Sequence, residues 1–421
     1  MTINSFLYKD GFGAQAFYNA KNALHGYTDT NVANETKHSN TYSTVESRAQ
    51  KPYDNRVPYE KANFLIDSRY SVQHILGKGS YGTVCSAIDL NSKDKSSLAI
   101  KKVCNIFNKE VLLKRAIREL KLMEYFKGHK NIIGLVDLDI VYVKPYDGLY
   151  CFQELVDYDL AKVIHSSVQF SEFHIQSFFY QICCGLKYIH SADVIHRDLK
   201  PGNILVTSQG CLKICDFGLA RGINSRYMNH NHKSSNITNY VATRWYRAPE
   251  LILSRKPYGK AVDIWAIGCI FAELYSRRPI FIGDDQIMQI TEICKIIGAP
   301  SKEIIFSYGT TIAWEFFSDP KPKFQKKEWS DLYPHANNYA HDLLDKLVCW
   351  NVNKRYTIDQ ILKHPYLKKV SNPDEEVVMD EPFDFSFEWK AKTLNDLKMV
   401  LHDEVTNFKE KKQQIDFKGM M

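Results

Sequence analysis

A glycine-rich turn set between two stretches of strand character constrains this chain more than any other feature. The turn is Gly77-Lys78-Gly79-Ser80-Tyr81-Gly82-Thr83-Val84, preceded by Tyr70 to Leu76 and followed by Thr83 to Asp89. Both flanks carry strand signals. Glycines let backbone N–H groups approach phosphate oxygens closely. A dinucleotide-binding turn needs a helix directly after it, whereas Thr83-Val84-Cys85-Ser86-Ala87-Ile88 reads as a strand. That order argues against a Rossmann unit and for a strand–loop–strand flap over a nucleotide.

The rest of the chain divides around that flap. Residues 1 to about 64 are polar, rich in Asn, Ser, Thr and Tyr, and without a sustained period. They read as a disordered extension. Strand signals dominate to about residue 155, including Leu98 to Val103 and Leu149 to Phe152. One helix interrupts at Lys109 to Phe126, where Leu112, Leu113, Ala116, Leu120 and Met123 recur at helical spacing. From residue 158 on, helical patterns take over. Ser171 is an N-cap candidate, followed by a stripe of Phe178, Ile182, Leu186 and Ile189. Ala261 to Tyr275 is apolar on nearly all sides apart from Asp263 and Glu273, which predicts a buried helix. Further helices are expected at Asp285 to Ile297, Tyr339 to Cys349 and Ile358 to Lys363. The expected architecture is α+β: a small sheet-rich lobe with one helix, then a larger helical lobe.

Composition removes several classes. Fifty-five basic residues against 48 acidic ones leave a net charge of +7, but the bases are scattered among acids, unlike the one-faced cluster of a nucleic-acid binder. The ten cysteines include the adjacent Cys183 and Cys184 and no CxxC pair, which favours reduced thiols over a disulfide framework. The longest apolar stretch is too short to span a bilayer, so neither nucleic acid nor a membrane span is expected.

Lys101 ends Leu98-Ala99-Ile100-Lys101, 24 residues after Gly77, where the flap brings it toward phosphates. Such an ammonium needs an orienting carboxylate, and Glu119 on the following helix is the candidate. His196-Arg197-Asp198-Leu199-Lys200-Pro201-Gly202-Asn203 then gathers an aspartate, a lysine and an asparagine. These suit a proton acceptor, a phosphate contact and a Mg²⁺ ligand in phosphoryl transfer. Thirteen residues beyond Asn203 lies Asp216-Phe217-Gly218, whose aspartate suits a second Mg²⁺ contact, and Ala248-Pro249-Glu250 follows.

This set, in this order, resembles the eukaryotic protein kinases from about residue 65 to 408. The resemblance implies a bilobal kinase fold, with lobes at 65–156 and 157–370 and ATP in the cleft. Gly77, Lys78, Gly79, Ser80, Tyr81 and Gly82 would cover the phosphates. By position Gln153 matches the gatekeeper, Glu154 to Val156 the adenine-binding hinge, and Asp159 a ribose contact. Val84, Ala99 and Leu205 would sandwich the adenine, and Arg355 would pair with Glu250. Cys215, beside Asp216, is a thiol that could face the nucleotide.

Thr238-Asn239-Tyr240, followed by Val241 to Glu250, resembles the activation lip of mitogen-activated protein (MAP) kinases. Residues 281 to 330 match that group's insert, and residues 371–421 its C-terminal extension, which returns to pack on the small lobe through Pro382-Phe383-Asp384-Phe385-Ser386-Phe387 and the helix after it; the last residues are expected to be disordered. The family pattern implies phosphorylation at Thr238 and Tyr240. Arg118, Arg197 and Arg221 would receive the first phosphate, Arg244 and Arg247 the second. Asp374, Glu375 and Glu376 would dock basic motifs of partners. Implied partners are protein substrates with Ser/Thr-Pro sites and an upstream activating kinase or activator protein; the implied location is cytoplasmic and nuclear.

Asn105 to Glu110, Pro145 to Tyr150 and Tyr158 to Ser167 further resemble the sporulation-specific branch of MAP kinases in ascospore-forming yeasts, which implies a role in meiosis and spore-wall assembly and a place at the forming spore boundary. The rival readings are a cell-wall-integrity MAP kinase, a cyclin-dependent kinase and a pseudokinase scaffold. The last would lack Lys101, Asp198 or Asp216, and all three are present.

Overall fold

The computed structural model describes residues 55–79, 82–223, 244–254, 258–318 and 324–419. Residues 1–54, Ser80, Tyr81, Thr238, Tyr240 and the loop segment 224–243 lie outside the described residues.

The chain opens with a hairpin, β1 (Arg56–Tyr59) against β2 (Phe64–Asp67). β1 corrects the reading that structure begins only at residue 64. Next come β3 (Tyr70–Gly79), β4 (Gly82–Asp89) and β5 (Ser97–Val103). α1 (Glu110–Tyr125) follows, then β6 (Leu135–Val141) and β7 (Gly148–Glu154). The five strands form an antiparallel sheet in the order β3-β4-β5-β7-β6.

Alternation along β5 decides the use of each face. Leu98 and Ile100 point to a cluster with Phe64, Ile66, Cys85, Ala87, Tyr150 and Phe152, which the β1–β2 hairpin helps to close. Ala99 and Lys101 point the other way, toward the cleft. Lys102 shares the closed face and is 2 % exposed. Its ammonium donates to the Asn63 carbonyl at 2.7 Å and the Pro145 carbonyl at 3.1 Å, so the buried charge is not left bare. Gly82 is required at the flap because a Cβ there would overlap the Lys102 carbonyl.

The larger lobe begins at β8 (Tyr158–Asp159), α2 (Leu160–Ile164) and α3 (Glu172–Ser191). Ser171 caps α3: its hydroxyl accepts the His174 N–H, and the His174 ring accepts the Ser171 N–H. Short strands β9 (Val194–Ile195), β10 (Ile204–Val206), β11 (Leu212–Ile214) and β12 (Arg221–Gly222) carry the catalytic segments, with β10 paired to β8 and β11, and β12 to β9.

After α4 (Pro249–Leu253) comes α5 (Ala261–Ser276), buried almost throughout as its composition predicts. The 281–330 segment holds α6 (Gln286–Ile297), α7 (Lys302–Tyr308), α8 (Thr311–Ser318) and α9 (Trp329–Leu332). α10 (Asn338–Leu347) and α11 (Ile358–Leu362) complete the lobe.

The chain then returns to the small lobe. The Phe383 N–H donates to the Ala192 carbonyl, and the Phe383 ring sits edge-on to Tyr125 of α1. α12 (Phe387–Lys390) and α13 (Leu394–Gly419) follow. Along α13, Glu404 pairs with Lys121, Lys409 with Asp139 at 2.6 Å and Lys412 with Asp137 at 2.6 Å.

Glu250 and Arg355 form a bidentate pair at 2.6 and 2.8 Å, with the arginine side chain fully buried over the Trp265 ring. Removing one partner of such a pair strands a buried charge and costs about 3–5 kcal/mol. Arg355→Ala is therefore expected to unfold at markedly lower denaturant concentration than the wild type; an unchanged midpoint would show that the pair holds nothing together.

Candidate active site

Asp263 fixes the catalytic loop. This buried carboxylate accepts the backbone N–H groups of His196 and Arg197, each at 2.8 Å, and the His190 ring nitrogen at 2.9 Å. Burial pushes its carboxyl up, but the donors from His190 and the loop outweigh that and hold it below the usual carboxylate range. The loop is held in a sparsely used shape, with Arg197 in the left-handed region at φ 68°.

The loop presents a compact polar group. Lys200 Nζ donates to Asp198 Oδ2 at 2.7 Å, and Asn203 Nδ2 donates to the same oxygen at 2.9 Å and to the Asp198 carbonyl at 2.8 Å. The aspartate is thus oriented from two sides. The Cys215 N–H donates to the Asn203 carbonyl at 3.0 Å, which joins this loop to the segment bearing Asp216.

Asp216 also has left-handed backbone, at φ 66°, supported by its own side chain accepting from the Gly218 N–H at 3.4 Å. Desolvation would raise its carboxyl pKa, but Lys101, Arg115 and Lys200 hold it down at about 2. Phe217 turns inward, 5.2 Å from the His196 ring and 5.5 Å from Phe126. Burial, and then Asp216, push the Cys215 thiol well up against the opposing pull of Lys101 and Lys200, which disfavours the reactive thiolate.

Lys101 pairs in register with Val84 on one side and Cys151 on the other, at the centre of the sheet. Its ammonium meets Glu119 Oε1 at 2.5 Å. Burial opposes the charged form, yet Glu119 and Asp216 outweigh it and raise the lysine pKa. α1 supplies this carboxylate because Leu113, Ala116, Ile117, Leu120 and Met123 bury one face of the helix.

Val84 and Lys101 are cross-strand partners, as are Ala99 and Gln153, so all four share the cleft-side face. Gln153 Nε2 contacts Met123 Sδ at 3.1 Å. The Glu154 side chain turns away to the Gly134 N–H and Lys213, and its own N–H donates to the Gly134 carbonyl at 3.2 Å. Asp159 caps α2 through the Lys162 N–H and pairs with Lys162 at 3.1 Å, while Leu205 lies opposite it in the β8–β10 register. Gly77, Lys78 and Gly79 end β3 over this face; Val156 lies in the connection after β7.

Arg118, Arg197 and Arg221 come from three elements. Arg118 donates to the Gly218 carbonyl at 2.5 Å and Arg221 to the Ala220 carbonyl at 2.8 Å. Arg197 Nε and Nη1 are buried without a hydrogen-bond partner among the described residues, and the guanidinium lies over the Tyr258 ring, 4.9 Å from its centroid. Burial, and then repulsion by Arg118 and Arg197, lower the pKa of Arg221 to about 10. Arg244 donates to the Asp284 carbonyl, and its Nε is likewise buried and unpartnered there. Burial lowers the Arg247 pKa, with Asp198 opposing that shift. Of the acidic trio, Asp374 is exposed, Glu375 pairs with Lys130 at 2.7 Å and Glu376 with Lys187 at 3.3 Å.

Three contributors escaped the sequence: Asp263, Arg115 and Glu388. Asp263 left one signal, a carboxylate in an otherwise apolar helix. Arg115, 3.5 Å from Asp216, and Glu388, paired with Arg118, left none.

A lysine–glutamate pair under a glycine flap, facing a loop aspartate and a second aspartate, defines a protein kinase. A protein-family profile described as "Protein kinase domain" matches residues 70–367, and the chain belongs to that family. It is a MAP kinase within it. It is 55 % identical over 357 residues to the sporulation-specific mitogen-activated protein kinase SMK1 of Saccharomyces cerevisiae, covering 84 % of this chain and 92 % of that one. It is 45 % identical to the mitogen-activated protein kinase SLT2/MPK1 of the same yeast, covering 82 % and 71 %. The mitogen-activated protein kinase spm1 of Schizosaccharomyces pombe is also 45 % identical, with 82 % and 81 % covered. The chain is accordingly an ATP-using protein serine/threonine kinase. Among the described residues no helix is long and apolar enough to cross a membrane.

Lys101→Arg keeps the charge but replaces a compact ammonium with a planar fork. It is expected to abolish phosphotransfer in a peptide assay while the fold persists by circular dichroism; wild-type kcat would reduce Lys101 to a strand residue.

Proposed function

We propose that this MAP kinase transfers the ATP γ-phosphate to Ser or Thr followed by Pro, and acts in meiosis and sporulation, including ascospore wall assembly. The observation that carries the chemistry is the orientation of Asp198 by Lys200 and Asn203. Asp198 receives the substrate hydroxyl proton, Lys200 supports the transferring phosphate, and Lys101, held by Glu119, positions the remaining phosphates. Asn203 and Asp216 would hold Mg²⁺. The donor set fits: two hard-oxygen side chains leave places for water and phosphate oxygens, as this ion prefers, and among the described residues no group of three His, Cys, Asp or Glu forms a complete protein cage. ATP brings the phosphoryl group, and Mg²⁺ would neutralise charge on its oxygens.

The sporulation role rests on the 55 % identity to SMK1, against 45 % to SLT2/MPK1. Docking of basic motifs is assigned to Asp374, with Glu375 and Glu376 available once partners displace Lys130 and Lys187. An upstream kinase or activator protein, and cytoplasmic, nuclear and spore-boundary locations, belong to the same reading.

Asp198→Ala is expected to leave ATP affinity nearly intact and to lower turnover by about 10²–10⁴. The wild type, but not this variant, is expected to restore spore formation in S. cerevisiae lacking SMK1. Unchanged turnover sinks the base assignment; failure of the active wild type to restore sporulation sinks the biological one.

Phosphates at Thr238 and Tyr240 would each add about −1.5 to −2 charges. The unpartnered Arg197 and Arg244 nitrogens support arginine receptors for both. Thr238→Ala and Tyr240→Phe are each expected to keep the fold and lose most activation, measured as the kcat ratio before and after treatment with an activating kinase. A doubly substituted protein as active as the doubly phosphorylated one would refute the switch.

A further inference from the structure

Arg118, on the helix turn that bears Glu119, faces two ways. Its Nη1 donates to the Gly218 carbonyl, two residues past Asp216, and its Nε donates to Glu388 Oε1 at 2.6 Å. Glu388 comes from α12, 270 residues away in sequence. The pair is sheltered, with side-chain exposures of 5 % and 20 %.

Glu388 is flanked by contacts to both lobes. Phe385 lies so close to Gly222 of β12 that a Cβ there would collide with its ring. Lys121 of α1 sits over the Phe387 ring, and the Tyr125 hydroxyl donates to the Glu381 carbonyl at 2.6 Å. The C-terminal extension is thus clamped to α1 before the carboxylate, at Glu381 and Phe387, and after it by the Lys121–Glu404 pair.

We propose that Glu388 is a positioning residue for phosphoryl transfer: it is the resident counter-ion of the Arg118–Arg197–Arg221 cluster and holds α1, and with it the Lys101–Glu119 pair, in place before any phosphate arrives. Burial alone would raise the Glu388 carboxyl, but Arg118 first and then Arg221 and Lys114 hold it ionised. Three guanidiniums and one carboxylate leave the cluster with two uncompensated charges. A phosphate of about −2 neutralises those, so Glu388 and phospho-Thr238 complement rather than displace one another. Without Glu388 the unphosphorylated cluster carries three like charges, and Arg118 loses the partner that fixes its helix. This deepens the phosphorylation reading given above and rests on it for the phosphorylated arm alone.

The test compares wild type with Glu388→Gln, which keeps shape and removes charge, each unphosphorylated and doubly phosphorylated. A charge-assisted hydrogen bond of this kind is worth about a tenfold effect. The unphosphorylated variant is expected to lose about tenfold in kcat with the KM for ATP little changed. Phosphorylation is expected to recover most of that loss, so the variant's activation ratio exceeds that of the wild type. Amide exchange should quicken in α1 and not in α5. An equal loss in both states, no loss in the unphosphorylated enzyme, or faster exchange in both helices overturns the proposal. A wild type indifferent to Thr238 phosphorylation sinks the phosphosite reading instead, and the unphosphorylated comparison still judges Glu388.

Discussion

The buried Asp263 carboxylate is the constraint on which the catalytic geometry rests. It sits in a helix buried almost throughout, where an ionised group survives only when hydrogen-bonded. His190 and the His196 and Arg197 N–H groups supply those bonds. The bargain is mutual: the carboxylate gains donors, and the loop gains a fixed left-handed bend at Arg197 that it would not adopt alone. From that bend Asp198, Lys200 and Asn203 project as one hydrogen-bonded group, and the Asn203 carbonyl carries the placement on to Asp216. The large lobe therefore places the catalytic loop by itself, whereas Asp216 and the Gly218 carbonyl are also reached from the small lobe by Arg115 and Arg118 of α1.

The small lobe holds its part more loosely. Lys101 is fixed by the sheet, but Glu119 rides on α1, whose position depends on the Met123 face, on the Gly218 carbonyl and on the C-terminal extension. The fold thus separates a rigid half-site from one whose alignment is set by charge. Arginines drawn from α1, the catalytic loop and β12 lie at that join, which is where added negative charge has the greatest leverage on geometry.

Much of this was legible in the sequence because it is local. Helical spacing in Leu112 to Met123 gave α1 and made Glu119 the partner of Lys101, and the close spacing of Asp198, Lys200, Asn203 and Asp216 gave the transfer site. The strand after the glycine turn argued against a dinucleotide fold on physical grounds. What was missed depends on distant partners. β6 escaped because Asp137 and Asp139 break its apolar pattern; those carboxylates are satisfied by Tyr70, Arg56, Lys409 and Lys412, from the two ends of the described chain. β1 escaped because its four residues carry no alternating pattern; it helps to close the outer face of the sheet and supplies Arg56 to the distant Asp139. Glu388 escaped because nothing near it in sequence announces Arg118. The acidic run at Asp374 to Glu376 was legible as charge, but not that two of its members already have lysine partners.

On the function proposed, the cleft between the two half-sites would hold ATP with Mg²⁺ against Asp198. A crystal structure of the full chain with a non-hydrolysable ATP analogue and Mg²⁺ tests it most directly. The expected result is a metal ion ligated by Asp216 and the Asn203 amide oxygen, Lys101 on the phosphates with Glu119 still paired to it, and the terminal phosphate beside Lys200 and Asp198. A nucleotide seated elsewhere, or a metal that engages neither Asp216 nor Asn203, would contradict it.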